Sequence, residues 1–283
     1  MTQVERAGLE ALKRAVGRRH ADRISYLYRD RVQPTIEAIT YNASTAGRRS
    51  RRRLQRLRDQ YRGQRCFIIG NGPSLNDMDL SPLRNEVTFG LNRGYLLADR
   101  IGAPTTFLVA VNRYVVEQFS SDLLGSGSTT FVSWRSRRYL PSGSDVIFVR
   151  RSRLFTFSPN PATHGAWEGA TVTYVAMQLA FHLGFSIVVL IGVDHSFASK
   201  GPANKLVTAT TEDLNHFDPG YFGPGVEWQL PDLEVSEAAY RIARQQFASA
   251  GRTILDATVR GQLAVFPKVE FEDLMRFPTH QAR

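Results

Sequence analysis

The chain predicts an α/β fold, a mostly parallel sheet with helices on both faces, and three observations point to it. From Arg65 onward, short apolar runs rich in β-branched residues alternate with segments of helical spacing, the pattern of strands joined by crossover helices. The runs are continuously apolar, as strands covered on both faces are. The first of them, Cys66 to Ile69, runs directly into Gly70-Asn71-Gly72-Pro73-Ser74, where two missing Cβ atoms permit a sharp turn.

Ahead of that sheet, residues 1–62 read as a helical, arginine-rich accessory extension. Val4, Leu9, Leu12 and Val16 fall at helical spacing, a second apolar pattern starts near Ile24 with Tyr26 and Leu27, and Pro34 breaks it. Residues 63–283 then form the main domain. Its expected strands are Cys66 to Ile69, Val87 to Leu91, Thr106 to Val111, Thr130 to Ser133, Val146 to Val149, Ile187 to Ile191 and Thr253 to Leu255, with a further apolar run from Leu263 to Phe266. Helical segments are expected over Arg93 to Arg100, Tyr114 to Phe119, Thr171 to Leu183, Ser236 to Ala250 and Phe271 to Phe277. The glycine- and proline-rich stretch from Ala198 to Asp232 has the length of a lid or binding loop, and Tyr221, Phe222 and Trp228 within it argue against disorder.

Composition narrows the partners. The chain has 283 residues, 42% hydrophobic and 11% aromatic, with one cysteine and a net charge of +10. No run of about 18 apolar residues occurs, and the amino terminus is charged from Glu5 onward, so a cytoplasmic protein is expected. Cys66, inside an apolar strand, reads as a core residue. The positive charge is concentrated between Arg48 and Arg65, a run suited to the anionic inner face of a membrane, with a solvated helix face as the plain alternative. Nucleic acid is disfavoured, since no aromatic-studded basic sheet or recognition-helix pattern accompanies the charge.

Ligands of parallel sheets bind outside the carboxyl ends of the strands, so the residues following each strand are the candidates. Gly70, Asn71, Gly72, Pro73 and Ser74 form a turn suited either to a phosphate or to an ordinary strand-to-helix connection, with Ser74 in the position of a helix N-cap. Asn92 and Asn112 follow the next two strands, and Asp194 and His195 follow the strand ending at Ile191. Thr171 and Thr173 open the long helix toward the same edge, either as ligand contacts or as plain caps. Asp77-Met78-Asp79 imitates a metal-binding Asp-x-Asp, but its place after the turn reads as capping, and no metal ligands are assigned.

The stretches from Ile68 to Leu75, Gly90-Leu91-Asn92-Arg93, Val109 to Asn112, and Gly169 to Ala176 through Gly192 to Phe197 resemble the MptE-like (DUF115) group, related to the bacterial sialyltransferases of glycosyltransferase family 42. The likeness covers about residues 65–275. It implies a Rossmann-like nucleotide-binding core with a lid at about 198–232, in which Asn71, Gly72 and Ser74 hold the phosphate of a cytidine nucleotide and Asn92 and Asn112 contact ribose, base or sugar. Those sialyltransferases place a general-base histidine where this chain reads Gly225-Val226-Glu227-Trp228-Gln229, which departs from the pattern.

The expected function is a transferase moving a sugar from a CMP-activated donor to a surface-glycan acceptor, with no cofactor. Tyr221 would assist the leaving phosphate, and His216 or His195 would act as base. Two alternatives stand beside it. One is pyrophosphoryl transfer from ATP to a pterin-like alcohol, with magnesium held by Asp194 and Asp218. The other is a nucleotide-sugar or glycan-binding accessory protein without catalysis.

Overall fold

The computed structural model describes residues 32–152, 154–197 and 201–276. The helical patterns expected between Val4 and Leu27 lie outside them. Among the described residues, helix α1 (Gln33–Ala43) and helix α2 (Thr45–Leu57) precede strand β1 (Arg65–Ile69). Next come β2 (Thr88–Leu91), β3 (Phe107–Ala110), helix α3 (Arg113–Gln118), β4 (Thr129–Ser133) and β5 (Ile147–Val149). Helix α4 (Val172–Leu183) leads into β6 (Ile187–Ile191), followed by β7 (Leu206–Thr208) and β8 (Glu227–Gln229). Helix α5 (Leu233–Ser249), β9 (Thr253–Asp256) and helix α6 (Phe271–Arg276) come last.

Seven strands form one sheet in the order β5-β4-β3-β2-β1-β6-β9, and every neighbouring pair is parallel. This is a Rossmann-like α/β fold. The two faces are legible in each strand's period of two. Cys66 and Ile68 of β1, with Val188 and Leu190 of β6, point into the core beneath α4 and α5. Phe67 and Ile69, with Val189 and Ile191, point into a second core capped by Leu75, Leu83 and Phe271. Cys66 is fully buried, as a core residue, and burial pushes its thiol pKa well up. The direction of strand addition reverses between β1 and β6, which is the crevice where such sheets bind ligands.

Two expectations are corrected, and a third gains detail. The segment set apart as an accessory extension contributes to the core between residues 33 and 57: Leu54 of α2 is buried beneath the sheet, and Tyr41 of α1 packs edge-on against Trp134 and donates its hydroxyl to the Phe148 carbonyl. The buried face of α2, Gly47, Ser50 and Leu54, lies opposite Arg48, Arg52 and Arg56. The arginine run does not end on the surface either. Arg65 is buried in β1 and ion-paired with Glu86, its Nε 3.1 Å from Oε2, while Arg49 and Arg53 reach Asp145.

The third concerns the lid. Residues 201–232 form a packed cap, with β7 and β8 paired antiparallel. Phe217, Tyr221, Phe222, Trp228 and Leu230 are buried in the second core. The cap is tied to the sheet by polar contacts: the Phe217 amide donates to the Asn71 carbonyl at 2.9 Å, and Gln118 of α3 exchanges two hydrogen bonds with the Glu227 backbone. Leu263, Val265 and Phe266 of the last apolar run are buried but form no strand. The expected helix over Arg93 to Arg100 is a 3-10 turn at Gly94–Leu97 continued by one helical turn at Ala98–Ile101.

Candidate functional site

A cavity of about 1210 Å³ runs along the carboxyl edge of the sheet, roofed by the cap. Its wall includes Gly70, Asn71, Gly72, Asn92, Asn112, Thr171, Thr173, Asp194, His195 and His216, so most residues singled out by motif and strand end converge on one space. Pro73, Ser74 and Tyr221 do not line it.

The glycine turn has a different reason for being glycine than ligand approach. A Cβ on Gly70 would stand 2.1 Å from the Gly192 carbonyl oxygen, and one on Gly72 would stand 2.3 Å from a carboxylate oxygen of Asp194. The close approach is therefore between the ends of β1 and β6. The amides follow suit: Gly70 N–H donates to the Ile191 carbonyl at 2.7 Å, Gly72 N–H to the Gly192 carbonyl at 2.9 Å, and Ser74 N–H to Asp194 at 3.0 Å. Those three amides are spent on the protein and not on a phosphate. Ser74 is not an N-cap either. Gly72 precedes the 3-10 turn Pro73–Asp77, and the Ser74 hydroxyl donates to Asp194.

Asp194 is thereby assigned a structural task, since both carboxylate oxygens accept from Ser74. Asp218 accepts from the Gly220 amide in a turn off the cavity wall. Asp218 therefore does not share the cavity wall with Asp194. Asp79 accepts from the Ser81 amide and hydroxyl, and Asp77 pairs with Arg260.

The three asparagines differ once their partners are counted. Asn112 is the N-cap of α3, its Oδ1 accepting from the Tyr114 amide at 2.9 Å. Asn71 and Asn92 each carry a buried Oδ1 with no hydrogen-bond partner, and a buried carbonyl left unpaired costs about 1–3 kcal/mol. An amide oxygen accepts, so these two positions suit hydroxyl or amino donors of a ligand more than phosphate oxygens. Across the cavity Thr171 caps α4 through the Thr173 amide and lies 3.3 Å from the Tyr240 hydroxyl.

His216 has the most developed surroundings. Its Nδ1 lies 2.7 Å from Oδ2 of Asp213, and the ring stacks on Tyr221 at 4.1 Å with an interplanar angle of 7°. Phe222 and Trp228 pack edge-on against the same imidazole. Burial pushes the Asp213 carboxyl up, but hydrogen bonds from His216 and from the Asn215 and Phe222 amides outweigh it and hold the group below the usual carboxylate range. Tyr221 is fully buried, its hydroxyl accepting from the Arg93 amide at 3.2 Å, and burial raises its pKa. It is a platform for His216, not a phosphate ligand. His195 sits with φ +56° and its Nε2 3.5 Å from Glu237.

Backbone strain gathers here. Of six non-glycine residues with left-handed φ among the described residues, Asn92, Ala170, His195 and Asn204 line this cavity. Not anticipated by the motifs are Asp213, the wall carboxylates Glu37 and Glu168, and the wall arginines Arg113, Arg135, Arg137, Arg138 and Arg151. The strand-end rule extended to β4 would have found three of them in Trp134-Arg135-Ser136-Arg137-Arg138-Tyr139.

No family model matches the chain, and no curated protein matches it. Among solved structures, the chain is similar to the MAf glycosyltransferase from Magnetospirillum magneticum AMB-1, with a TM-score of 0.45 and 18% identity. That match covers 75% of this chain and 34% of the other, so the chain spans about a third of that protein's length.

Proposed function

We propose that the protein is a nucleotide-dependent glycosyltransferase, taking a sugar from a CMP-activated donor and delivering it to a glycan hydroxyl. The observation that carries the reading is His216: an imidazole on the cavity wall whose Nδ1 is held by a carboxylate, leaving Nε2 as the nitrogen that takes a proton. In the proposed reaction His216 accepts the proton of the acceptor hydroxyl as its oxygen bonds to the anomeric carbon. The bond from that carbon to the phosphate oxygen breaks, and CMP leaves with the electron pair. Asp213 fixes the tautomer and stabilises the imidazolium formed.

Asn71 and Asn92 support a sugar-bearing ligand at the β1 and β2 ends, because their unpaired amide oxygens ask for hydroxyl or amino donors. The leaving phosphate is proposed to face the amino end of α4 at Thr171 and Thr173, where the helix dipole favours negative charge.

A thermal-shift panel of CMP, CDP, UDP, GDP, ADP and ATP, with and without magnesium, tests the donor class, because a ligand that binds only the native state raises its melting temperature. CMP alone should stabilise the protein. Stabilisation confined to ATP with magnesium would overturn the reading in favour of pyrophosphoryl transfer. Glycan binding with no nucleotide response would favour an accessory role.

A further inference from the structure

The cavity is longer than one ligand needs. Its wall extends from the β6 end to the residues following β5, and β4 and β5 lie three and four strands away from β1. At about 4.8 Å per strand that is about 14–19 Å from the glycine turn. Ligand pockets commonly enclose about 300–1,000 Å³, and this cavity at about 1210 Å³ exceeds that range.

The far end has its own chemistry. Arg135 donates to both Glu168 oxygens at 2.6 Å, and buried Glu37 stands 3.8 Å from both Arg135 and Arg151, so these four side chains largely offset one another. Arg137 and Arg138 are not offset in this way. Arg137 donates to the Trp134 carbonyl at 3.1 Å, and Arg138 donates to the Tyr139 hydroxyl at 2.7 Å. Arg113 donates to that same hydroxyl at 2.7 Å while also reaching Glu117 at 3.2 Å. Two guanidinium groups, of Arg113 and Arg138, therefore meet on one neutral oxygen with Glu117 as the carboxylate beside them, while Arg137 lies over the Trp134 ring at 4.4 Å on the same cavity wall. Like charges held this close repel, and an anion placed among them removes that cost while accepting charge-assisted hydrogen bonds. Arginine forks match the planar oxygens of carboxylate and phosphate in particular.

We propose that the β4–β5 end of the cavity is a second subsite, which binds the acceptor through a negatively charged group on it, a sugar carboxylate or a sugar phosphate. The term acceptor rests on the transferase reading. The anion site itself rests on Arg113, Arg137 and Arg138. Arg137 and Arg138 are exposed, so replacing them leaves the core intact.

The test is equilibrium binding of glucuronate, glucose 6-phosphate and glucose to the full chain, with and without saturating CMP, in the parent protein, Arg137→Ala/Arg138→Ala and Arg137→Lys/Arg138→Lys. One or both anionic sugars should bind with CMP present, glucose should not, and the alanine pair should lose about tenfold or more in affinity, equivalent to one charge-assisted hydrogen bond. The lysine pair should retain part of it, and raised salt should weaken binding in the parent. Preference for glucuronate or for glucose 6-phosphate identifies the source of the charge. Equal binding of glucose, unchanged affinity in a folded alanine pair, or displacement of the anionic sugar by CMP would overturn the subsite. A protein that binds the anionic sugars yet takes no nucleotide keeps the subsite and removes the donor reading instead.

Discussion

A glycine at a strand end is ambiguous in sequence, because a ligand and a neighbouring backbone forbid a Cβ equally well. Here the neighbour is backbone at Gly70 and the Asp194 carboxylate at Gly72. Gly70→Ala should therefore destabilise the fold itself, by about 1–3 kcal/mol for overpacking at a site that cannot relax. Urea unfolding measures this, and an unchanged midpoint would contradict the contact. His216 gives the opposite kind of prediction. His216→Ala should lower turnover by about 10²- to 10⁴-fold with little change in nucleotide affinity, the usual scale for removing a general base. Asp213→Asn should lower turnover as well, with little change in nucleotide affinity, since the carboxylate no longer holds the imidazole ring through Nδ1. Unchanged turnover in Asp213→Asn would mean that Asp213 does no more than hold the loop.

Elements carry information that single residues lack, as α2 and α4 illustrate. His182, near the end of α4, is buried, with Nε2 2.9 Å from the Leu54 carbonyl of α2, so it fastens the amino-terminal helices to the core. Burial lowers its pKa below the ordinary 6.5, with the Leu54 carbonyl partly opposing the shift. A lowered histidine pKa means that the unfolded chain binds the extra proton first. Its contribution to stability is thus complete above pH 6.5 and declines as pH falls from there toward the lowered folded value. Melting temperature should drop across that window in the parent protein, and the drop should shrink in His182→Gln. An identical pH slope in the variant would assign the loss to other groups. The cap is a second case: Tyr221, Phe222 and Trp228 are visible in sequence as aromatics within a long polar stretch, but only the fold reveals that they are a core and the seat of His216.

For the whole molecule, the net charge of +10 is a statement about partners, not about the fold. Part of it is used internally by Arg49, Arg53 and Arg65. Arg48, Arg52 and Arg56, spaced by four on the exposed side of α2, remain as an outward stripe. Among the described residues no helix is long and apolar enough to cross a membrane. We predict that the stripe attaches the protein to anionic vesicles, at about 1 kcal/mol per arginine near the surface, with binding that falls steeply as salt rises. Vesicle sedimentation checks this. Arg48→Ser/Arg52→Ser/Arg56→Ser should lose attachment, and equal pelleting with neutral lipid would rule it out.

The parallel sheet, its strand bounds to within a residue or two, and the carboxyl-edge location of the candidate site were all legible in the sequence. Each depends on local periodicity: apolar β-branched runs can be satisfied only as covered strands, and the residues following them must emerge at one edge. Asn71, Asn92, Asn112 and His195, which follow strands, were accordingly expected at that edge, as were Thr171 at a helix start and His216 in the long loop, and all six line the cavity. What each side chain does at that edge was decided only by tertiary structure. That Asp194 serves Ser74 depends on a partner 120 residues away in the chain, whereas Asn112 caps its own helix and Asp213 holds His216 from three residues away, local pairs that the fold selects from the alternatives open in the sequence. The strand-end rule at β4 points to Arg137 and Arg138, but their convergence with Arg113 was hidden. Arg113 and Arg138 are far apart in sequence, and their meeting on the Tyr139 hydroxyl exists only once β3 and β4 lie side by side.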